Sequence, residues 1–387
     1  MTMPYNFDQP INRRHTDSSK WGYYDDDILP MWVADMDFRS PEPVIQALRE
    51  RVDHGVFGYS LLPADLPEII CARMQHLYQW EVRPEQVLFL PGVVSAFNLF
   101  CRAFGEPGSG ALMQTPVYTP ILDAPANHGQ AANMAELAMT RNGHTLYYEI
   151  DYDLFAAAIT PQTRVFLLCN PHNPVGRSYT RQELTRLAQI CERHDLIICS
   201  DEIHCELVMN DHVHLPIAAI SPEISKRCIT LMAPSKTFNI PGLGFSFAIA
   251  QNPELREKFK NAGKGITPYV KTLAATAARA AYTAGEEWRL ALLQYLTANR
   301  DYLVDYIQQY LPHIRTTVPE ATYLAWLDCR ETGIKGNPYK FFKKKAQVAF
   351  SDGASFGPGG EGFVRLNYGC PRAQLTEALE RMKQAIL

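Results

Sequence analysis

The stretch Ala233-Pro234-Ser235-Lys236-Thr237-Phe238-Asn239 puts one lysine just after an apolar run, 228–232, at a proline-containing turn. An ammonium is costly to hold beside an apolar strand. Surroundings that lower its pKa leave a neutral, nucleophilic amine of the kind that forms a Schiff base. One such lysine says little, because most lysines are solvated surface groups. Other reactive side chains, however, follow apolar runs in the same way. The runs 87–90, 111–114, 165–169 and 196–200 lead into Pro91-Gly92-Val93-Val94-Ser95, Thr115-Pro116-Val117-Tyr118, Asn170-Pro171-His172-Asn173 and Asp201-Glu202-Ile203-His204. An amine, a carboxylate, an imidazole, two carboxamides and a phenol thus abut strand ends. Loops are polar in any protein, so chance convergence is the alternative.

A lysine, an aspartate and an aromatic ring around one site suit pyridoxal phosphate. On this reading Lys236 carries the cofactor, and Asp201 pairs with the pyridine nitrogen and keeps it protonated, so that the ring accepts electrons from a carbanion. Tyr118 stacks on the ring and Asn173 bonds its O3′ oxygen. The backbone N–H groups of Val93 and Val94, opening a helix, hold the phosphate with help from the Ser235 hydroxyl. The plainer alternatives are a helix N-cap for Asp201 and a packing role for His204. His172, His212 and His214 read as ordinary loop residues.

The elements that must position these groups follow one pattern. Apolar runs at 87–90, 111–114, 131–137, 165–169, 196–200, 228–232 and 245–250 are separated by turns and by helical stretches such as 94–104 and 180–193. Continuous rather than alternating hydrophobicity implies strands buried on both faces. Alternation with helices implies an α/β fold, here a mostly parallel seven-stranded sheet between helices. Such a sheet binds ligands beyond the carboxyl ends of its strands. Past 250 come helical stretches at 272–282 and 286–311, strand candidates at 321–327, 348–350 and 363–367, and a closing helix from about 372, which suggest a smaller C-terminal α/β domain. The expected division is 1–48 as an N-terminal segment belonging to the small domain, 49–285 as the large domain and 286–387 as the small one. Residues 28–38, apolar but carrying Asp35 and Asp37, either cover the pocket or simply pack. Ser40 is placed to cap a helix running to about Val52. Gly357-Pro358-Gly359-Gly360 lacks the context of a phosphate loop and reads as a flexible rim.

Composition bounds the alternatives. The chain has 387 residues, 47% hydrophobic and 20% charged, which is ordinary for a globular protein of two domains. A net charge of -4 argues against nucleic-acid binding, and the only basic run, Lys343-Lys344-Lys345, suits a solvated helix face. Cysteines at 71, 101, 169, 191, 199, 205, 228, 329 and 370 form no CxxC pair, which suggests reduced thiols and no metal site. With no signal-peptide pattern and no run of about 18 apolar residues, the expected compartment is the cytoplasm and no membrane is involved.

The sequence also resembles the MalY/PatB group of cystathionine β-lyases, or C-S lyases, among the fold-type I pyridoxal-phosphate enzymes. Ser19-Lys20-Trp21, 29–38, 54–59, Asn170 to Gly176, Ser200 to His204, Ala233 to Ile240 and 363–367 carry the resemblance, which spans nearly the whole chain. It implies the Schiff-base role for Lys236, the pyridinium partner in Asp201, ring contacts from Asn173 and Tyr118, and Arg365 as the clamp on the substrate α-carboxylate. His204 joins the cofactor set, and Ala34 and Asn173 join Arg365 at the substrate. Tyr59 matches a residue that reaches the cofactor phosphate of a neighbouring subunit, which implies a homodimer with shared active sites. Aminotransferases of this fold usually have Arg eight residues after the lysine and Tyr three after the aspartate. Here those positions are Gly244 and His204, as in the lyases. The implied reaction is α,β-elimination of L-cystathionine or a related cysteine S-conjugate to pyruvate, ammonia and a thiol. The alternatives are an aminotransferase and, from another class, a cofactor-binding regulatory protein acting through a partner.

Overall fold

The computed structural model describes residues 5–209 and 212–386. The seven apolar runs form one sheet in the order Val87–Leu90, Ser246–Ile249, Cys228–Met232, Ile197–Asp201, Thr163–Cys169, Gly110–Thr115, Ala131–Glu136. Only Ser246–Ile249 runs against its neighbours, and the remaining pairs are parallel. Burial on both faces explains the unbroken hydrophobicity of the inner strands, whereas the edge strand Ala131–Glu136 is largely exposed, contrary to expectation, because it has a neighbour on one side only. Val165 and Leu167 pack with Phe97 and Phe100 of helix Val93–Phe104 on one face. Phe166 and Leu168 join the core that holds Leu184 and Leu187 of helix Arg181–Arg193 on the other. The cysteines are all free, and all but Cys71 are buried. No described helix is long and apolar enough to cross a membrane.

A six-stranded sheet has the order Ser351–Asp352, Phe363–Asn367, Leu324–Asp328, Arg315–Thr317, Thr145–Glu149, Ala138–Asn142. Its last two strands form a hairpin that the sequence pattern does not foretell. The hairpin lies inside 49–285, the range assigned to the large domain, yet it pairs with the C-terminal strands through the parallel register of Thr316 with Thr145. Its alternating pattern, with Leu146 and Tyr148 buried and Tyr147 and Glu149 exposed, is that of a sheet with one wet face. The strand expected at 321–327 begins only at Leu324, because Thr322 takes a left-handed φ of 73°. Helices Leu66–Tyr78, Thr119–Ala126 and Pro253–Ala262 are further additions.

Two local expectations are corrected. Ser40 does not cap helix Glu42–Asp53, whose N-cap is Pro41. Its hydroxyl donates instead to the Asn239 carbonyl, 3.0 Å away, and so ties the helix entry to the lysine turn. The glycine-rich loop is tightly packed, since a Cβ on Gly360 would stand 2.1 Å from the Gly353 carbonyl oxygen. The Phe356 carbonyl accepts from the Val117 amide at 2.9 Å, which docks this loop of the six-stranded sheet beside Tyr118.

One buried ion pair joins helix Leu66–Tyr78 to the loop beyond Asp201. Arg73 donates to both oxygens of Glu206, at 2.7 and 2.6 Å, and to Glu286 at 2.9 Å. Arg73 and Glu206 are both buried. Arg73→Ala would leave the buried Glu206 carboxylate with only Arg289, 4.0 Å away, and should cost about 3 kcal/mol, read from urea unfolding at neutral pH. A loss under about 1 kcal/mol would show that the pair is not what fixes this helix.

Candidate active site

The carboxyl ends of the parallel strands open onto a cavity of about 630 Å³. Val93, Val94, Tyr118, Asn173, Asp201, His204, Ser235, Lys236, Ala34 and Arg365 all line it. Strands Gly110–Thr115 and Thr163–Cys169 are adjacent at its floor, and the loops after them are tied by the Tyr118 amide donating to the Asn173 carbonyl at 3.1 Å. Tyr59 is not part of the cavity. It lies in the stretch before helix Leu66–Tyr78, fully exposed, with Val56, Phe57 and Leu61 exposed beside it.

Lys236 donates to the Ala34 carbonyl at 2.7 Å. Burial, reinforced by the positive field of Arg365, lowers its pKa to about 8 against the opposing pull of Asp35 and Asp201. Asp201 is buried at the end of strand Ile197–Asp201, and desolvation pushes its pKa up to about 7 despite the Ile203 amide bond and the nearby Lys236. That amide, 3.1 Å from Oδ1, is the carboxylate's one hydrogen-bond partner among the described residues, and Asp201 caps no helix. Both groups are thus held away from their preferred charge states, the mark of a site built for chemistry. His204 is buried, with Nδ1 unpartnered among the described residues, and desolvation keeps its ring neutral.

Arg365, central in strand Phe363–Asn367, donates from Nη1 to Asn173 Oδ1 at 2.9 Å and from Nη2 to the Trp32 carbonyl and Ser351 Oγ, each at 3.1 Å. Its Nε is buried without a partner among the described residues. Desolvation brings its pKa down to about 10, still well above neutrality. Because Asn173 Oδ1 is taken by Arg365, the Asn173 amide NH₂ is the end left to donate. At the other side of the cavity the Ala96 amide makes the first intrahelical bond, to the Gly92 carbonyl at 3.1 Å, so among the described residues the amides of Val93, Val94 and Ser95 are free for an anion.

The segment 28–38 lies over the pocket and packs as well. Its carboxylates turn away from the cavity. Asp37 pairs with the fully buried Lys20 at 2.7 Å and with Arg13 at 2.6 Å, and Asp35 pairs with Arg13 at 2.7 Å. Trp32 and the Ala34 carbonyl face the cavity instead.

Sequence reasoning missed several lining residues, among them Tyr24, Tyr339 and Phe356. Tyr24 and Tyr339 meet hydroxyl to hydroxyl at 3.1 Å across 315 positions of chain, so no local pattern could have paired them. His172 and His214 are not ordinary loop residues, because both are buried. His172 bridges the Pro116 carbonyl at 2.8 Å and the Tyr179 hydroxyl at 3.1 Å, and His214 meets Glu202 at 2.7 Å.

Comparison with known proteins gives consistent matches. The model of the family described as aminotransferase class I and II matches residues 26–382. Cystathionine beta-lyase PatB of Bacillus subtilis (strain 168) is 38% identical over 98% of this chain and 100% of its own length. Among solved structures, that of OvoB is 44% identical with a TM-score of 0.94, covering 99% of each chain. The pyridoxal-phosphate-bound C-S lyase of Staphylococcus hominis is 35% identical with a TM-score of 0.92, also over 99% of each.

Proposed function

The chain belongs to the aminotransferase class I and II family, and from that premise we propose that it is a pyridoxal-phosphate-dependent carbon-sulfur lyase acting on L-cystathionine or a related cysteine S-conjugate. The observation that carries this reading is the meeting of a depressed lysine, a desolvated aspartate and a partly unsatisfied arginine in one cavity.

The residues fit the cofactor. Asp201 is a buried carboxylate without a counter-ion in hydrogen-bond contact, as a protonated pyridine nitrogen requires. The Asn173 NH₂ group suits a phenolate oxygen. The free amides of Val93, Val94 and Ser95, with the Ser235 hydroxyl, suit the phosphate. Gly244 supports the lyase side of the family, since its φ of 70° and a Cβ position 3.1 Å from the Pro91 carbonyl disfavour a phosphate-binding arginine there. Similarity to a protein named cystathionine β-lyase and to a C-S lyase points the same way.

When bound, pyridoxal phosphate supplies an aldehyde for the amines and an electron-accepting ring. The chain's own residues do the rest. Arg365 fixes the α-carboxylate with a fork already oriented by Asn173, Ser351 and Trp32. Lys236, once free, is a near-neutral base that takes the proton from Cα and later serves as an acid. Asp201, ionised, sustains the positive ring nitrogen. Trp32, Tyr24, Tyr339 and Phe356 wall the remaining space in which the sulfur substituent lies, an apolar lining suited to a polarizable thioether.

A homodimer with shared sites accords with this reading. The exposed strip Val56, Phe57, Tyr59 and Leu61 is apolar, as an interface needs, and Tyr59 would serve the phosphate of the other subunit.

The reading is tested by assaying pyruvate and free thiol together from L-cystathionine. Equal yields support elimination, whereas keto-acid formation without thiol would move the assignment to transamination. Arg365→Lys should lower kcat/KM on the order of 10²-fold, mostly through KM, since an ammonium cannot reproduce the planar fork. An unchanged KM would remove Arg365 from the substrate.

A further inference from the structure

The Ala34 carbonyl accepts two hydrogen bonds, one from Lys236 Nζ at 2.7 Å and one from the Tyr323 hydroxyl at 2.8 Å. The oxygen is firmly placed. Asn367, fully buried, donates its side-chain amide to the carbonyls on either side, those of Val33 at 2.5 Å and Asp35 at 2.6 Å. Asn239, three residues beyond Lys236 and held at a left-handed φ of 55°, bonds both the amide and the carbonyl of Met36, at 2.9 and 2.8 Å. The lysine turn and the segment over the pocket are therefore stapled together, and neither can shift without the other.

We propose that Tyr323 is a positioning residue for Lys236: its hydroxyl and the lysine amine share the Ala34 carbonyl, and the hydroxyl's claim on that oxygen sets how tightly the protonated amine is held. A carbonyl oxygen has two lone pairs. Once one is engaged by a donor, the oxygen offers less electron density to the next. Tyr323 is buried and its phenol pKa is raised, first by desolvation, so it stays protonated and remains a donor. The bond from Lys236 strengthens when the amine becomes an ammonium, because charged donors bond more strongly than neutral ones. The carbonyl therefore favours the protonated lysine, and Tyr323 restrains that preference. When the Cα–H bond breaks, the electron pair stays on the substrate and the proton goes to Nζ, where this carbonyl receives one of the three N–H bonds.

The other groups that act on Lys236 are Arg365, Asp35 and Asp201, with the neutral ring of His204 nearby. Asp35 and Arg365 act on Tyr323 as well, and His204 packs edge-on against its ring at 6.0 Å. All of these are unchanged by Tyr323→Phe, which removes one oxygen and keeps the ring.

The inference rests on Lys236 being the amine that captures the cofactor. Its test is the pH dependence of pyridoxal phosphate capture by the apoprotein, followed by absorbance. In wild type the capture rate should rise with pH around a midpoint near 8. In Tyr323→Phe the midpoint should move up by about half a unit, a roughly threefold slower capture at neutral pH, in a protein that still unfolds cooperatively. A backbone ester replacing the amide between Ala34 and Asp35 weakens the same carbonyl and should move the midpoint down. That second variant decides the matter if Tyr323→Phe fails to fold. Midpoints that stay at the wild-type value, or two variants shifting in the same direction, would overturn the inference. Loss of capture in Lys236→Ala keeps the underlying reading intact whatever Tyr323 does, whereas unchanged capture there would remove the reading itself.

Discussion

Lys236→Ala should abolish thiol release from L-cystathionine, with a fall of about 10⁴-fold or more in kcat. On the proposed reading two losses combine: the anchoring amine disappears, and so does the base that takes the α-proton. Positioned acid–base groups alone contribute about 10²–10⁴-fold. No base of comparable strength lines the cavity among the described residues. Burial holds the His204 ring well below its ordinary pKa, and Arg365 holds its proton well above neutral pH. Lys236→Arg should be equally inactive, because a guanidinium neither loses its proton nor adds to an aldehyde. Stopped-flow mixing with α-deuterated substrate makes the assignment specific. Wild type should show a primary isotope effect on the disappearance of substrate, and the variant should show no turnover on which to measure one. Full turnover in Lys236→Ala would remove the lysine from the chemistry altogether.

Asp201→Asn should separate activity from stability. An amide cannot sustain a protonated ring nitrogen, so turnover should fall on the order of 10³-fold or more. The apoprotein should nevertheless become more stable above neutral pH. The Asp201 carboxyl titrates at about 7 in the fold, because burial disfavours its charge, against a usual value of 3.8. A raised folded pKa contributes stability that is present below about pH 4 and lost as pH rises through 7. Above pH 7 the wild-type apoprotein therefore carries the full penalty of a buried, unpaired carboxylate. A displacement of this size corresponds to about 4 kcal/mol. Asn avoids it while keeping an oxygen for the Ile203 amide. Thermal unfolding of both apoproteins at pH 5 and pH 8.5 tests the sign: the variant's advantage should grow with pH. A variant less stable at pH 8.5 would mean that Asp201 is held by partners other than the cofactor.

Much of this is legible without coordinates. Cys228–Met232 and Phe363–Asn367 begin and end where the sequence places them, because every residue of each is buried and the flanking residues leave the ladder. The hairpin 138–149 is not legible. Its short alternating strands carry a weak pattern, and what fixes them is pairing with Arg315–Thr317, some 170 positions away. The Ser40 cap fails for a similar reason. A local rule offers the hydroxyl a backbone amide, and the fold offers it the Asn239 carbonyl instead.

The proposed reactive set can be read from residue types and their order along the chain. Asp201 ends a strand, and Lys236, Tyr118 and Asn173 lie within a few residues beyond one, and parallel strands of one sheet deliver the loops at their carboxyl ends to one edge. Side-chain chemistry and strand direction needed no further information. The tertiary structure alone decided how those groups are tuned. The pKa of Lys236 depends on burial, on Arg365 and on a carbonyl at Ala34, and the fork of Arg365 is aimed by Asn173, Ser351 and Trp32. Desolvation and hydrogen-bond direction are properties of space around an atom, and most of the groups that set them here come from more than 100 positions away in the chain.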